Sequence, residues 1–179
     1  MIARRAAVLF IAPLLMVACG STSVAATPAA NVIIGGASCP AAEKQDLTFK
    51  GAITGHVYCS TAAAACTKAA ANSRYSAGLA EPINLRVGSM PVQLLIAFGD
   101  DKPETVAAGK LGDDPTSTPN GATLDGIGHW ETTTNGGGSM TIAADNATSA
   151  SGSVDIHLAS EKGRFSVNGS WRCVKPPGF

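Results

Sequence analysis

The chain has 179 residues, about the size of one domain, and carries 13 basic and 13 acidic side chains. If residues 1–18 are removed as a signal peptide, Arg4 and Arg5 are lost. The mature chain then has 11 basic and 13 acidic side chains and a net charge of −2. A weakly acidic surface lacks the basic stripe that nucleic-acid binding requires, so we expect no nucleic-acid partner.

The N-terminus has the features of a bacterial export signal. Its basic start precedes the uncharged run AAVLFIAPLLMVA, which is shorter than the roughly 20 apolar residues that span a bilayer core and suits a secretory signal. The run ends in the letters MVAC, which resemble the lipobox of bacterial lipoproteins. In that family the peptide is cut before the cysteine, and the cysteine thiol receives a diacylglyceryl group.

The resemblance to a lipobox implies a signal peptide over residues 1–18 and a mature protein that begins at Cys19. Acyl chains on Cys19, such as palmitate, would hold the protein on the extracytoplasmic face of the cell membrane, since each buried methylene contributes about 0.8 kcal/mol. The alternative is an ordinary secretory signal that is cut nearby, with Cys19 as an incidental thiol. We interpret 19–38 as the lipidated N-terminus and a flexible linker, in which only the apolar residues 32–34 could dock on the following domain.

Residues 39–179 are predicted to form a single β-domain. Alternation with a period of two over DLTFKGAITGHV predicts one half-buried strand, and the more continuously apolar MPVQLLIAFG predicts a central, covered strand. The inward face of the first strand is expected to carry Leu47, Phe49, Gly51, Ile53, Gly55 and Val57.

Two segments do not fit a strand pattern. The Ala-rich stretch near 59–72 predicts either a short helix or a disulfide-closed loop. The polar, acidic and Gly/Pro-rich residues 99–126 predict a long loop, which is uncommon inside a compact domain and is sometimes functional.

The C-terminal part predicts four strands in an antiparallel meander. GHWETTT and GSMTIAA are expected to form a hairpin through residues 135–138, and SGSVDIHLA and RFSVNGSWRC to form another through residues 160–163. In the last strand Trp171 shares the inward face with Phe165 and Val167. The fold class that follows is all-β, either an antiparallel β-sandwich or a barrel-like sheet.

Four short motifs occur in this region: Gly51–Gly55 in the form G-x-[LI]-[TS]-G, then Trp130, then GSVD at 152–155, and finally GSWxC at 169–173. Their order resembles that in a group of small secreted lipoproteins of actinobacteria and related Gram-positive lineages. That group has no assigned activity, so the resemblance implies a β-domain and contributes no site.

The four cysteines after Cys19 predict two disulfides, because an even number in an exported chain is usually paired. We expect Cys39–Cys173, since antiparallel neighbours bring the start of the first strand to the end of the last, and Cys59–Cys66 as a local bond. The alternatives are 39–59 with 66–173, and 39–66 with 59–173.

No catalytic, metal or cofactor site is predicted. His56 and His157 fall on polar faces of their strands, and His129 falls near a strand end. The chain has no nucleophile elbow, no short paired cysteine spacing and no phosphate loop.

The function expected from the sequence is that of a membrane-anchored, non-enzymatic envelope domain that binds a small apolar ligand or an envelope protein. One alternative is a structural or antigenic surface module without a ligand. A second is an envelope hydrolase, which a buried carboxylate facing His129 would favour. A pocket lined with apolar side chains would favour ligand binding, and a filled core without a cavity would favour the structural module.

Overall fold

The structure is a computed structural model that describes residues 30–33, 44–59, 65–68, 78–112 and 117–179. These residues form twelve strands and no helix. The strands are β1 (Ala30–Ile33), β2 (Lys44–Gly51), β3 (Ile53–Cys59), β4 (Thr67–Lys68), β5 (Leu79–Val87), β6 (Met90–Ala97), β7 (Glu104–Ala107), β8 (Gly121–Asp125), β9 (Trp130–Thr132), β10 (Gly138–Asp145), β11 (Ser149–Ser160) and β12 (Gly163–Val174).

All twelve strands belong to one sheet, with the order β12-β2-β3-β1-β5-β6-β8-β9-β11-β10-β7 and with β4 beside β5. Because β11 also pairs with β12, the path of pairings returns to its start and the sheet curls round. Ladders between the described strands are antiparallel except the one between β1 and β3. The predicted all-β class is confirmed in its barrel-like form.

The long hairpin of β11 and β12 follows the sequence prediction closely. Its ladder is continuous from the pair Ser149 and Val174 to the pair Ser160 and Gly163, with a two-residue turn between the strands. The inward residues predicted for these strands are buried: Val154, Ile156, Leu158, Phe165, Val167, Trp171 and Cys173.

The stretch predicted as one strand over residues 46–57 is instead the hairpin of β2 and β3. Leu47 lies opposite Val57 in the ladder, so both point inward, and the predicted buried face survives the turn. Two glycines of that face depart from the prediction: Gly55 is only half-buried, and Gly51 is exposed at the turn with φ of +126°. A Cβ there would lie 2.6 Å from the carbonyl oxygen of Arg164, so only glycine lets the turn lie against β12.

The sequence analysis makes no prediction for strand β5, whose sequence LAEPINLRV contains a proline. The ladder of β5 with β4 ends at Ala80, and the ladder with β1 begins at Arg86. Pro82 lies between these two ladders. On that side of β5 no described strand pairs with it, so the N–H that proline lacks is not needed for a ladder hydrogen bond. Strand β6, expected to be covered, is exposed at its start, where Met90 is 48% exposed.

The hairpin predicted for β9 and β10 is wrong. Both strands pair with the same edge of β11: β9 at Leu158 and Ala159, and β10 along residues 150–156. They therefore follow one another along that edge. The Gly-rich residues 133–137 bridge the break, and the backbone carbonyl of Gly137 accepts a 2.9 Å hydrogen bond from the amide of His157.

Three irregular segments contain more strand than the sequence indicated. The predicted loop 99–126 contains β7 and β8, although residues 113–116 lie outside the described range. The predicted linker contributes β1, which pairs with β3 and β5. Within 59–72 the described residues, 59 and 65–68, are not helical. No helix long and apolar enough to cross a membrane occurs in the described segments.

The predicted disulfide pairing is wrong, because Cys173 is bonded to Cys66. Strands β2 and β12 are antiparallel neighbours as expected, but Ser170 lies opposite Asp46, so the register would place Cys173 opposite position 43 rather than Cys39. The amide of Cys66 donates a 2.9 Å hydrogen bond to the carbonyl of Val174, which brings Cys66 beside Cys173.

Cys59 is also disulfide-bonded, to a residue outside the described range. The predicted pair Cys59–Cys66 is therefore excluded, because Cys66 is already bonded to Cys173. Of the three connectivities considered, only 39–59 with 66–173 contains the observed bond.

Candidate ligand-binding cleft

A cleft of about 590 Å³ lies on the outer face of the sheet, where β2, β12 and β11 pass beside the loop 133–137. This volume falls within the range of small-molecule sites. The cleft is lined by Lys50, Thr133, Asn135, Gly136, His157, Leu158, Ala159, Arg164, Phe165 and Ser166.

The register of three neighbouring strands places the polar side chains of the cleft in a row. Ser166 on β12 lies opposite Lys50 on β2 and opposite His157 on β11. Adjacent strands are about 4.8 Å apart, so Lys50 and His157 flank Ser166 across roughly 10 Å. Arg164 lies two residues before Ser166 and therefore on the same face of β12.

The cleft carries positive charge without a counter-charge. No carboxylate is among its lining residues. Lys50, His157 and Arg164 are exposed, and no hydrogen bond or ion pair engages their side-chain nitrogens within the described part of the chain. These groups are therefore available as hydrogen-bond donors to an anion.

The loop 133–137 forms a wall of the cleft, and short contacts fix its position. The hydroxyl of Thr133 donates a 2.8 Å hydrogen bond to the carbonyl of Asn135. A Cβ on Gly137 would lie 2.4 Å from the carbonyl oxygen of Ala108, so the loop can approach β7 this closely only with glycine there. The run of glycines that suggested a hairpin turn thus serves as a tight bridge.

His129 is the histidine that the hydrolase alternative would use as a catalytic base. It lies in an exposed ion pair. Its Nδ1 is 2.7 Å from Oδ1 of Asp125, and its Nε2 is 3.8 Å from Oε2 of Glu131. The hydrogen bond to Asp125 raises the pKa of His129 above its usual value. Asp125 is 56% exposed, so the buried carboxylate that would favour a hydrolase is not found at this position.

The remaining two histidines follow the sequence prediction of polar faces. His56 is part-buried, with Nε2 2.8 Å from Oδ1 of Asp46. His157 is exposed in the cleft. The predicted lipidation site Cys19 lies outside the described residues, as does Cys39.

A second polar cluster lies inside the sheet and was missed in the sequence. Glu81 on β5 is fully buried, and its Oε1 accepts a 3.2 Å hydrogen bond from Nε2 of Gln45. Burial raises the pKa of Glu81 to about 8. A sequence pattern could have revealed this cluster. Glu81 alternates in step with Leu79, Ile83 and Leu85, so a strand pattern continued through Pro82 would have predicted an inward side chain for Glu81.

Comparison of the chain with protein families, with curated proteins and with solved structures finds no match.

Proposed function

We propose that the protein is a lipid-anchored domain on the extracytoplasmic face of the cell membrane that binds a small anionic ligand in the cleft and catalyses no reaction. The observation that carries this proposal is the row of Lys50, Ser166 and His157, with Arg164 beside it and no carboxylate in the lining.

The chemistry of the cleft favours an anion over the small apolar ligand that the sequence suggested. Arg164 offers a planar fork of donors that matches a carboxylate or phosphate, and Lys50 offers a compact charge. Phe165 and Leu158 are buried, so they supply a firm floor and little apolar surface for contact. Because the cations are exposed, binding should be modest in strength and should weaken with salt.

The first prediction concerns Lys50 and Arg164. Inorganic pyrophosphate, used as the probe, should shift the backbone amide NMR signals of residues that line the cleft. Replacement of both cations by glutamine should weaken binding about tenfold, since two charge–charge contacts at exposed sites, each of somewhat under 1 kcal/mol, sum to about 1.4 kcal/mol.

Arg86→Gln is the matched control, because Arg86 is exposed and lies at the turn between β5 and β6, away from the cleft. An unchanged dissociation constant in the double variant, or shifts spread evenly over the surface, would contradict the proposed site. No binding by the unmodified protein to pyrophosphate, citrate or other polyanions would favour a structural surface module.

The second prediction concerns the anchor. Cys19→Ala should move the protein from the membrane fraction to the aqueous fraction, because the thiol that receives the lipid is removed. Ser21→Ala should leave it in the membrane fraction. Mass spectrometry of the mature N-terminus tests the same point directly, and an unmodified Cys19 or a cut elsewhere would refute lipidation.

A further inference from the structure

Three potential metal ligands converge inside the sheet, away from the cleft. One sulfur atom each from Cys66 and Cys173 and one carboxylate oxygen of Glu81 all lie within 4.8 Å of one another. All three residues are fully buried. Among the described residues this is the one group of three Cys, His, Asp or Glu side chains whose ligand atoms come this close.

The second carboxylate oxygen of Glu81, Oε2, is buried and has no hydrogen-bond partner. A buried polar atom without a partner typically costs about 1–3 kcal/mol, and packing alone does not require an acid at this place. Its neighbours of the same phase on β5 are apolar: Leu79, Ile83, Leu85 and Val87. The carboxylate that carries this unpartnered oxygen has one of its oxygens within 4.8 Å of both sulfur atoms, and this combination of groups is that of a metal site rather than of an apolar core.

We propose that reduction of the Cys66–Cys173 disulfide converts this cluster into a binding site for a thiophilic divalent cation such as Zn²⁺, held by the two cysteine thiolates and the Glu81 carboxylate. The proposal is independent of the ligand cleft, since no residue is shared between the two places.

The reduction balances with a dithiol as the reductant. The dithiol gives two electrons and two protons, the bond between the two sulfur atoms breaks, and the dithiol becomes a disulfide. Binding of the cation then releases one proton from each thiol and one from the Glu81 carboxyl group. Three anionic ligands and one divalent cation leave a net charge of −1, and a water molecule can take the fourth position of a tetrahedral site.

The backbone keeps the ligands close after the disulfide opens. The amide of Cys66 bonds to the carbonyl of Val174, and Thr67 and Lys68 pair with β5 next to Glu81. Zinc–sulfur distances near 2.3 Å place tetrahedral ligand atoms about 3.8 Å apart, so the cluster needs only side-chain adjustment.

Gln45 serves as the outer partner of this site. Its Nε2 donates to Oε1 of Glu81 at 3.2 Å and to the carbonyl of Arg172 at 2.8 Å, while its Oε1 accepts from the amide of Arg172 at 3.3 Å. Both ends of the amide are thereby fixed to β12, and the amide holds one oxygen of the Glu81 carboxylate in place. Metal sites commonly hold their carboxylate ligands in this way.

The test uses Co²⁺ as a spectroscopic probe on the full-length protein, reduced with a phosphine that does not bind the cation. The reduced protein should develop thiolate-to-cobalt charge-transfer bands and the visible bands of tetrahedral Co²⁺, and Zn²⁺ should abolish them. The oxidised protein should show neither. Glu81→Gln should weaken Co²⁺ binding at least tenfold, whereas Glu161→Gln, at the exposed turn of β11 and β12, should not change it.

The double variant Cys66→Ser, Cys173→Ser separates this site from other thiols that the phosphine frees, and it should lose the charge-transfer bands. Circular dichroism follows the fold in parallel. If the reduced protein keeps its β-spectrum, the absence of the bands overturns the proposal. If the reduced protein unfolds, Co²⁺ should restore the β-spectrum, and failure to restore it overturns the proposal. Equal binding by the Glu81→Gln variant does so as well.

Discussion

Glu81→Gln is expected to raise the free energy of unfolding at neutral pH and to remove most of its dependence on pH between about 5 and 8. Burial raises the pKa of Glu81 from 4.5 to about 8, so between these values the folded protein holds a proton that the unfolded chain has lost. The stabilisation from that proton is complete below pH 4.5 and is lost as the pH rises to 8, by at most about 1.4 kcal/mol per pH unit.

Glutamine keeps the shape of the side chain and an oxygen that can accept from Gln45, but it never ionises. Urea unfolding of the oxidised protein at several pH values measures the slope for both proteins. Glu161→Gln serves as the control, because Glu161 is exposed and its loss should leave the slope as it is. Parallel pH profiles for the unmodified protein and the Glu81→Gln variant would show that Glu81 does not titrate as its burial requires.

Trp171→Ala should lower the free energy of unfolding by about 3–5 kcal/mol, the usual loss for a buried aromatic side chain. Trp171 is 1% exposed, and its ring centroid lies 5.5 Å from that of Phe98. A Cβ on Gly152 would lie 2.9 Å from the Trp171 ring, which shows how closely the ring packs on β11. Alanine would leave a cavity there that the rigid strands could not close.

Denaturant unfolding at one pH measures this loss. Arg172→Ala is the matched control, because Arg172 is the exposed neighbour and bonds to Gln45 only through its backbone. The control should change the free energy of unfolding by less than about 0.5 kcal/mol. A loss below about 1 kcal/mol in the Trp171→Ala variant would mean that the tryptophan does not support the core.

The sequence predicts local features of this fold well and long-range ones poorly. Alternation and a turn with glycine at its end are enough for β11 and β12, because those strands are neighbours both in the chain and in the sheet. The same alternation cannot distinguish the hairpin of β2 and β3 from one strand. Alternation reports only which face a residue takes. Paired residues on β2 and β3 lie an even number of positions apart, as Leu47 and Val57 do, so the turn between them preserves that face.

The cleft could not be predicted for a related reason. The pattern places Lys50, His157 and Ser166 on outer faces, but only the ladder registers put them in one row. The wall formed by the loop 133–137 exists because β9 and β10 pair with the same edge of β11. Local sequence patterns do not indicate whether β9 pairs with β10 or with β11. The disulfide pairing was predicted wrongly for the same reason, because no local pattern indicates that Cys66 lies beside β12 and bonds to Cys173.

The bond between Cys66 and Cys173 joins positions 107 residues apart, and it therefore has a mechanical consequence. If the chain is pulled from its two ends, the tension passes across this covalent link and the enclosed segment cannot be drawn out. An extended segment of that length would measure roughly 350–385 Å. Single-molecule stretching of the oxidised protein should therefore release only the flanking residues, and the hidden length should appear after a reductant is added.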